Sequence, residues 1–530
     1  MNPLLYVDFY KVHHPFMFPK GLSSLYETGT PRGSRFPHIN YVIVAALQHF
    51  CLKYLKEEFN NHFFHISLFG RESYSKSYED KHHLERRLKE IKADVMTKYK
   101  RRIKLKSYDH IEALFDLGYL PIEIKSLDEG TKCPVGVPFY TIKETHPEFA
   151  WLVGYIETLM SCCIWQMFTS ATLAFDFKKL LIEWAIKTDQ NNISFVNYQG
   201  HDFSMRGMSS VESAILSGMG HLFLFEGTDT VPALYQLEES YDYEDYDVDH
   251  SIPATEHSIQ CSHYDYLTED ESAYFEHILT EYPEGPVAMV GDGFDLWKFI
   301  TIFLVKYKDW IMKREGKLVI RPDSGNPVDI ICGEAFTKMG EYVGKGTDLY
   351  IESVDDTPQG KGVIELLWDI FGGTVNEQGY KVLNSHIGAI YGDAINRDRA
   401  LQIFERLEAK GFASTNIVFG IGSYTYQHNT RDTFKFAMKG TYCEISTEKM
   451  SGTSVEIKEM FKDPITDSGF KKSAKGLVRV DMNDKGELVL KDQCTKEEEQ
   501  GGLLTTLFKD GELVKRHSLT QIREKINTYL

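Results

Sequence analysis

The chain has 530 residues and a mass of 61.0 kDa, and its 59 Lys and Arg residues against 77 Asp and Glu residues give a formal net charge of −18. A deficit of that size argues against a general binder of nucleic acids or anionic membranes, because both need a basic surface, although a local basic pocket stays possible. Hydrophobic residues make up 42% of the chain and aromatic residues 13%, which is enough for a large core and excludes a disordered protein.

The cysteines and the N-terminus indicate a reducing compartment. The eight cysteines form no C-x-x-C pair and have no metal-like spacing with histidine, so we expect free thiols. The first residues carry no basic segment ahead of an apolar one, and we expect no apolar run to reach the roughly 18 residues of a membrane span. We therefore expect a cytoplasmic protein that binds neither nucleic acid nor membrane.

The N-terminal part of the chain predicts helices around an antiparallel β region. Residues 84–106 have helical spacing and a basic exposed face, which either touches a nucleic acid or, more simply, is a solvated surface. Alternating apolar residues with Gly and Pro turns over 118–142 predict antiparallel strands. Residues 150–187 predict two long apolar helices, and the acidic, Tyr-rich stretch 239–250 predicts a solvated loop.

The middle of the chain repeats one pattern, in which a short apolar run leads to a polar Gly/Asp loop and then to a helical segment. The pattern recurs roughly every 30 residues, with one longer gap. Six or more such units favour an α/β fold with a (β/α) barrel, whose polar residues lie at the carboxyl ends of the strands. An open doubly wound sheet is the alternative, and it would gather them mainly at one switch point. The apolar runs are 222–225, 252–254, 287–290, 318–320, 387–391 and 417–419.

The loops after these runs collect charged side chains suited to a phosphorylated substrate. Arginine forks bind phosphate oxygens, glycine lets main-chain N–H groups approach them, and nearby carboxylates suit Mg²⁺ or ribose hydroxyls. His257 is either a packed imidazole or a reactive one, held in one tautomer by a carboxylate such as Asp292. The pooled candidates are Arg206, Asp229, His257, Asp292, Arg321, Asp323, Asp393, the turn 420–423 and Arg431.

Two known phosphate-binding motifs are incomplete in this sequence. The chain has no Gly-x₄-Gly-Lys-Ser/Thr loop, since the nearest stretch, 340–345, is one residue too short and lacks the Ser or Thr. Residues 353–360 have a faint likeness to the diphosphate-ribose loop of Rossmann-like phosphoribosyltransferases, but the long hydrophobic strand and the closing Thr-Gly are missing. We interpret that stretch as an insertion loop.

Motifs in order along nearly the whole chain resemble those of the nicotinamide phosphoribosyltransferases, which belong to the type II phosphoribosyltransferases. Arg321-Pro-Asp-Ser-Gly-Asn-Pro327 together with Ala254-Thr-Glu-His-Ser258 is a highly specific combination. The matching segments are 8–13, 118–122, 201–207, 227–231, 253–258, 320–327, 391–393, 430–432 and 461–464.

The resemblance implies an irregular, TIM-like (β/α) barrel over 166–428 that carries the active site. A mixed α+β domain would be assembled from 1–165 and 429–530, in a homodimer with shared active sites. The implied reaction joins nicotinamide to phosphoribosyl diphosphate, with Mg²⁺ present and ATP hydrolysis coupled through a phosphohistidine. A nicotinate or quinolinate phosphoribosyltransferase is the nearer alternative, and a non-catalytic nucleotide-binding protein is the more distant one.

The resemblance also implies roles for individual residues. The implied catalytic residues are His257, Asp292 and Asp323, of which Asp323 also contacts ribose. The implied nicotinamide contacts are Phe203, Asp229 and, from the other subunit, Tyr10. The implied diphosphate clamp is Arg206 and Arg321, and the implied 5′-phosphate cradle is Gly392, Asp393, Gly422, Ser423 and Arg431. The implied ATP or phosphate contacts are Lys439, Lys462 and Lys471.

The chain departs from the family pattern at a few positions. Ser423 stands where the phosphate turn has glycine, and Ala288 and Ala437 stand where we expect serine. These changes bear on nucleotide affinity and on recognition of the ring, and not on the reaction class. The region 330–385 is also longer than the family leads us to expect.

Overall fold

The computed structural model describes residues 1–65, 78–242, 249–334, 356–449, 452–466 and 472–530. The chain divides into two compact units. The first unit comprises Met1–Thr172, Gln236–Tyr243 and Asn429–Tyr529, and the second comprises Leu173–Tyr235 and Glu244–His428, with Leu530.

The strands are numbered in chain order. They are β1 Leu22–Pro31, β2 Tyr41–Ile43, β3 Ile122–Ser126, β4 Lys132–Pro134, β5 Tyr140–Glu144, β6 Gly200–Asp202, β7 Gly227–Thr228, β8 Asp249–His250, β9 Val287–Val290, β10 Leu318–Arg321, β11 Gly373–Val375, β12 Lys381–Leu383, β13 Ile387–Tyr391, β14 Ile417–Ile421, β15 Phe436–Lys449, β16 Gly452–Glu459, β17 Leu477–Met482, β18 Leu488–Cys494, β19 Thr505–Lys509 and β20 Glu512–Leu513.

The α-helices are numbered in the same way. They are α1 Leu47–Phe50, α2 Phe59–His62, α3 Tyr78–Arg102, α4 Asp109–Leu117, α5 Ala150–Thr188, α6 Val196–Gln199, α7 Val211–Leu222, α8 Val231–Tyr241, α9 His257–His263, α10 Ser272–Glu281, α11 Leu296–Lys298, α12 Val305–Ile311, α13 Pro327–Cys332, α14 Pro358–Phe371, α15 Arg397–Ala409, α16 Ser423–Tyr426, α17 Lys496–Glu499 and α18 Leu519–Asn527. π-Helical segments Cys51–Glu58 and Phe299–Leu304 join α1 to α2 and α11 to α12.

The second unit is built on a parallel sheet. Its described strands lie in the order β8-β7-β6-β14-β13-β10-β9, and every neighbouring pair is parallel. Strands β9, β10, β13 and β14 confirm four of the predicted apolar runs, and their side chains are almost all buried, as expected where both faces of a parallel sheet are covered. The fold is therefore mixed α/β.

One segment links the two edges of this sheet, because it forms the edge strand β8 and then pairs with β9 at the other edge. Strand β8 pairs with β7, and a few residues later Ala254 forms a parallel bridge with Ala288 of β9. The Ala288 N–H donates to the Pro253 carbonyl at 2.8 Å, and the Thr255 N–H donates to the Ala288 carbonyl at 3.0 Å. The predicted run at 252–254 is thus extended backbone beside β9, and it delivers His257 to the start of α9.

Two predictions in this part of the chain are wrong. Residues 222–225 are not a strand, because α7 runs to Leu222 and the Phe225 N–H still donates to the His221 carbonyl at 3.0 Å. Residues 150–187 are not two helices, because α5 continues unbroken from Ala150 to Thr188. No proline interrupts α5, and the one glycine inside it, Gly154, lies near its start.

The helical stretch Pro147–Thr188 is long and apolar enough to cross a membrane by length and composition alone, so the expectation that no segment reaches that length is wrong. However, 78% of its apolar window is buried inside the structure. That burial is typical of a core helix, whose apolar residues pack against protein on all sides.

The first unit is built on an antiparallel sheet. Its described strands lie in the order β16-β15-β1-β5-β3-β19-β20, so strands from both ends of the chain share one sheet. The antiparallel pairing of β3 with β5 confirms the β region predicted over 118–142. Helix α3 confirms the predicted basic helix, although it ends at Arg102.

Candidate active site

Two adjoining cavities lie in the second unit, one lined along its parallel strands and one at their carboxyl ends. The first, the apolar cavity, has a volume of about 550 Å³, and its lining includes His201, Phe203, Ile252, Ala288, Val319 and Arg321. The second, the polar cavity, has a volume of about 420 Å³, and its lining includes Phe203, Arg206, Arg321, Asp323, Gly392, Asp393, Gly422 and Ser423. The polar cavity thus brings together eight of the residues assigned from the sequence, from the last residue of β10 and from the loops that follow β6, β10, β13 and β14.

Phe203 and Arg321 line both cavities and stand where the two meet. The Arg321 guanidinium carbon lies 5.5 Å from the centre of the Phe203 ring. Two glycines make room for that ring, because a Cβ on Gly392 or Gly420 would lie 3.1 Å or 2.2 Å from its Cδ2 atom. A flat apolar surface and a cation therefore meet at one point, which suits a ring bonded to a phosphorylated group.

Arg321 has weak partners within the chain. Its Nη2 lies 3.4 Å from Asp323 Oδ2 and its Nη1 lies 3.5 Å from the Thr255 carbonyl, while its buried Nε has no hydrogen-bond partner among the residues that the structure describes. A buried polar group is normally paired, since an unpaired donor costs free energy. The guanidinium is thus placed to bind an anion, such as phosphate, from the polar cavity.

His257 belongs to a hydrogen-bonded cluster at the end of β9. Its Nε2 lies 3.0 Å from Asp292 Oδ1, and the other oxygen of Asp292 accepts from the Asp323 N–H at 2.8 Å and from the Ser324 hydroxyl at 2.5 Å. Burial alone would raise the pKa of Asp292, but these hydrogen bonds outweigh it and hold the pKa below its ordinary value. The three implied catalytic residues are therefore in direct contact, and the His257 ring is about half exposed.

His201 and Asp202 are missed by the sequence interpretation. His201 lines the apolar cavity, and its Nε2 lies 3.0 Å from Asp229 Oδ1. Asp229 itself does not line either cavity, so it stands behind His201. Burial would raise the pKa of Asp229, but hydrogen bonds from His201 and Ser251 outweigh it and the pKa lies below its ordinary value.

Asp202 holds the loops around this pair. It is fully buried, and its carboxylate accepts from the Ser204 N–H at 2.9 Å, from the Thr228 hydroxyl at 2.9 Å and from the Thr230 hydroxyl at 2.7 Å. The Asp229 N–H also donates to the Asp202 carbonyl at 2.9 Å. The sequence gives one indication of this buried carboxylate. It is the His-Asp pair that comes just before Phe203.

The turn at 420–423 has room for a serine side chain at position 423. A Cβ on Gly207 would lie 2.0 Å from Ser423 Oγ, so the glycine of the facing turn gives the serine its space. Ala288 lines the apolar cavity, so the methyl group there adds apolar surface without a hydroxyl.

The other assigned residues belong to the first unit. Tyr10 and Arg431 line one cleft of about 290 Å³. Lys439 and Ala437 line a separate basic cleft of about 200 Å³. Lys462 is exposed, and its N–H donates to the Ser473 hydroxyl at 2.9 Å. Lys471 lies outside the described residues. The roles assigned to all of these residues stay predictions.

Among the described residues, the side chains that could bind a metal ion or form a disulfide show neither arrangement. Within the described ranges, no group of three or more His, Cys, Asp or Glu side chains is arranged to hold a metal ion. The eight cysteines are free thiols.

Comparison with known proteins gives consistent results. A model of the nicotinate phosphoribosyltransferase (NAPRTase) family matches residues 198–512. A nicotinamide phosphoribosyltransferase from Acinetobacter baylyi is 41% identical over 544 residues, covering 99% of this chain and 97% of the relative. One from Mycoplasma pneumoniae is 33% identical over 480 residues, covering 88% of this chain and 93% of the relative.

A solved structure shares the fold. The crystal structure of a nicotinate-nucleotide pyrophosphorylase from Pyrococcus furiosus matches with a TM-score of 0.53 at 12% identity, covering 99% of this chain and 95% of that one. The matched family spans more than half of the chain, and the Acinetobacter relative aligns from end to end. The chain therefore belongs to the nicotinate phosphoribosyltransferase family of phosphoribosyl-transferring enzymes.

Proposed function

We propose that the protein transfers phosphoribosyl from phosphoribosyl diphosphate to nicotinamide in NAD salvage, giving nicotinamide mononucleotide and diphosphate. The observation that carries the proposal is the pair of adjoining cavities that share Phe203 and Arg321. The apolar cavity suits a flat heteroaromatic ring, and the polar cavity, with its arginines and glycine turns, suits the phosphates of the second substrate.

The chemistry is a displacement at the anomeric carbon of ribose. The ring nitrogen of nicotinamide forms the new C–N bond, the C–O bond to diphosphate breaks, and its electron pair leaves with diphosphate. Arg206 and Arg321 meet the departing charge, and the Phe203 face favours the ring as it becomes cationic. Positioning and electrostatics thus supply most of the catalysis.

ATP hydrolysis is coupled through His257 in this proposal. Asp292 accepts from Nε2–H, so the lone pair on Nδ1 is the nucleophile for the γ-phosphorus of ATP. The N–P bond forms as the bond to the ADP oxygen breaks, and water later hydrolyses the phosphohistidine. The charged carboxylate of Asp292 also stabilises the imidazolium character that develops on the ring.

Mg²⁺ fits the polar cavity as a companion of the substrate. Asp323 and Asp393 line that cavity beside two arginines, and Mg²⁺ is usually held by one or two carboxylates together with phosphates and water. Bound there, the ion would neutralise charge on the diphosphate.

We further propose that the second unit is a closed, irregular barrel, since the segment from β8 to Thr255 pairs with both edges of its sheet. The active form is a cytoplasmic homodimer in which Tyr10 of the partner subunit completes the ring sandwich. The exposure of Tyr10 supports this role, since 59% of its surface is accessible in the single chain.

Nicotinate is the second candidate base, because the matching family model carries that name. The deciding experiment incubates the protein with phosphoribosyl diphosphate, Mg²⁺ and ATP, together with equal concentrations of nicotinamide, nicotinate and quinolinate. Mass spectrometry then identifies the mononucleotide that forms. Nicotinamide mononucleotide as the main product supports the proposal, and nicotinate mononucleotide as the main product overturns the choice of base.

A further inference from the structure

A second cluster of charged side chains lies in the first unit, around Glu157 of α5. Lys11 is only 4% exposed, and its Nζ donates to the Gly154 carbonyl at 2.9 Å and pairs with Glu157. A buried ammonium is costly unless it is paired and hydrogen-bonded, so Glu157 is the counter-ion that lets Lys11 be buried.

The two oxygens of Glu157 face two different lysines. Oε2 pairs with Lys11, and Oε1 lies 3.7 Å from the Nζ of Lys439. Lys439 Nζ also donates to the Met438 carbonyl at 2.6 Å. One carboxylate on α5 is therefore shared by the N-terminal segment and by strand β15.

The neighbour of Glu157 tethers the same N-terminal segment. The Thr158 hydroxyl donates to Asp8 Oδ2 at 2.9 Å. Asp8 and Lys11 are thus both fixed to α5, while Tyr10 between them is 59% exposed. Fixing both sides of an exposed ring reduces the conformational entropy that the ring would lose on stacking against a ligand.

Lys439 lines the basic cleft with Arg32 and Lys472, and the hydroxyl residues Thr28 and Thr30 belong to the same lining. Three cations with hydroxyl groups beside them suit a phosphate-bearing ligand.

A second carboxyl group near Glu157 is that of Glu27, which contributes less negative charge beside the two lysines. Burial and the nearby Glu157 charge raise the pKa of Glu27 to about 7, so that carboxyl is only partly ionised at neutral pH. Glu157 is then the main counter-charge for the two lysines.

We propose that Glu157 is a positioning residue whose carboxylate fixes the Tyr10 segment and Lys439 together. Ring stacking by Tyr10 and phosphate binding in the basic cleft then depend on the same group. The inference rests on the proposed function for the ligands that Tyr10 and Lys439 contact.

The test compares Glu157→Gln, which keeps the size and removes the charge, with Glu157→Asp, which keeps the charge. We expect Glu157→Gln to raise the KM values for nicotinamide and for ATP together by about tenfold, with kcat changed by less than about twofold. Glu157→Asp should restore both KM values to within about threefold of the wild type. The matched control is Glu148→Gln, since Glu148 is exposed just before α5. An unchanged KM for either substrate in Glu157→Gln would overturn the inference.

A binding measurement keeps this inference separate from the proposed function. In an Arg206→Ala/Arg321→Ala background, which removes the cations of the polar cavity, calorimetry follows the binding of inorganic triphosphate to the full chain. Adding Glu157→Gln should weaken that binding by about tenfold, because losing the group that positions Lys439 outweighs losing one negative charge near the cleft. Adding Glu148→Gln should leave it unchanged. Equal affinity with and without Glu157→Gln would contradict the inference, whichever base the enzyme uses.

Discussion

Two buried carboxylates, Asp292 in the second unit and Glu129 in the first, behave in opposite ways. The side chain of Asp292 is 4% exposed, but the residue as a whole is only half-buried, whereas Glu129 is 1% exposed as a whole residue and lies deeper. The pKa of Asp292 nevertheless lies below its ordinary value, whereas burial raises the pKa of Glu129 to about 7, although the Gln48 N–H donates to it at 2.7 Å.

The difference lies in whether the hydrogen bonds to each carboxylate outweigh the effect of burial. The donors to Asp292 come from two loops, one carrying His257 and one carrying Asp323 and Ser324, so its charge is stabilised by groups that meet at the cavity. Glu129 sits in the core, where its hydrogen bonds do not offset burial. Changes in the loops around Asp292 should therefore affect activity, and changes at Glu129 should affect stability.

The largest effect should follow from Arg321→Ala. Removing the weakly paired guanidinium at the junction of the cavities should lower kcat/KM by about 10²- to 10³-fold, because the charge of the leaving diphosphate loses its partner. The melting temperature should change little. Steady-state kinetics and calorimetry on this variant and on the exposed control Lys308→Ala check the result, and a loss of folding with no loss of specific activity would break the comparison.

His257→Ala should come next. It should abolish the stimulation of synthesis by ATP, while slow synthesis without ATP coupling remains, because the variant lacks the nitrogen that we propose accepts the phosphoryl group. The control is His263→Ala, on the same helix, where the imidazole Nδ1 contacts the Ile259 carbonyl at 2.9 Å. Rates with and without ATP are the measurement, and normal ATP stimulation in His257→Ala would rule out the phosphohistidine.

A smaller effect is expected for Asp229→Asn. The variant removes the negative charge behind His201, so the preference for nicotinamide over nicotinate should fall by about tenfold. The ratio of kcat/KM for the two bases is the measurement. If the ratio stays at its wild-type value, another group reads the carboxamide.

The smallest effect is expected for Glu129→Gln, which should change the pH dependence of stability. The ordinary pKa of Glu129 is 4.5 and its folded pKa is about 7, so between these values the unfolded chain loses the proton and the folded chain keeps it. This group therefore makes stability fall as the pH rises through that window. Glu129→Gln should reduce the fall by about 1–2 kcal/mol in urea unfolding at pH 5 and pH 7.5, with activity unchanged. An identical pH dependence in the variant and the wild type would show that Glu129 does not hold the proton.

The sequence carries enough information for the long buried strands and for the residues that follow them. Strands β9, β10, β13 and β14 are short continuous apolar runs, and the Arg, Asp and Gly residues after β10, β13 and β14 line the polar cavity. Their positions follow because the carboxyl ends of parallel strands share one edge of a sheet.

Other parts leave weaker signals. Strands β6 and β7 have three and two residues, too few for any periodicity, so His201 and Asp202 are missed. A short apolar run such as 222–225 can either end a buried helix or form a strand, and its sequence does not distinguish the two. In the structure it lies at the end of helix α7. The Glu157 contacts join residues far apart in the chain, which no local pattern can indicate.

The most direct test of the central claim, that the paired cavities are the site of transfer, is a crystal structure of the protein with bound nicotinamide mononucleotide. The account predicts the pyridine ring beside Phe203 in the apolar cavity and the 5′-phosphate at the Gly422–Ser423 turn of the polar cavity. A nucleotide bound with its ring away from Phe203, or with its phosphate outside the polar cavity, would contradict it.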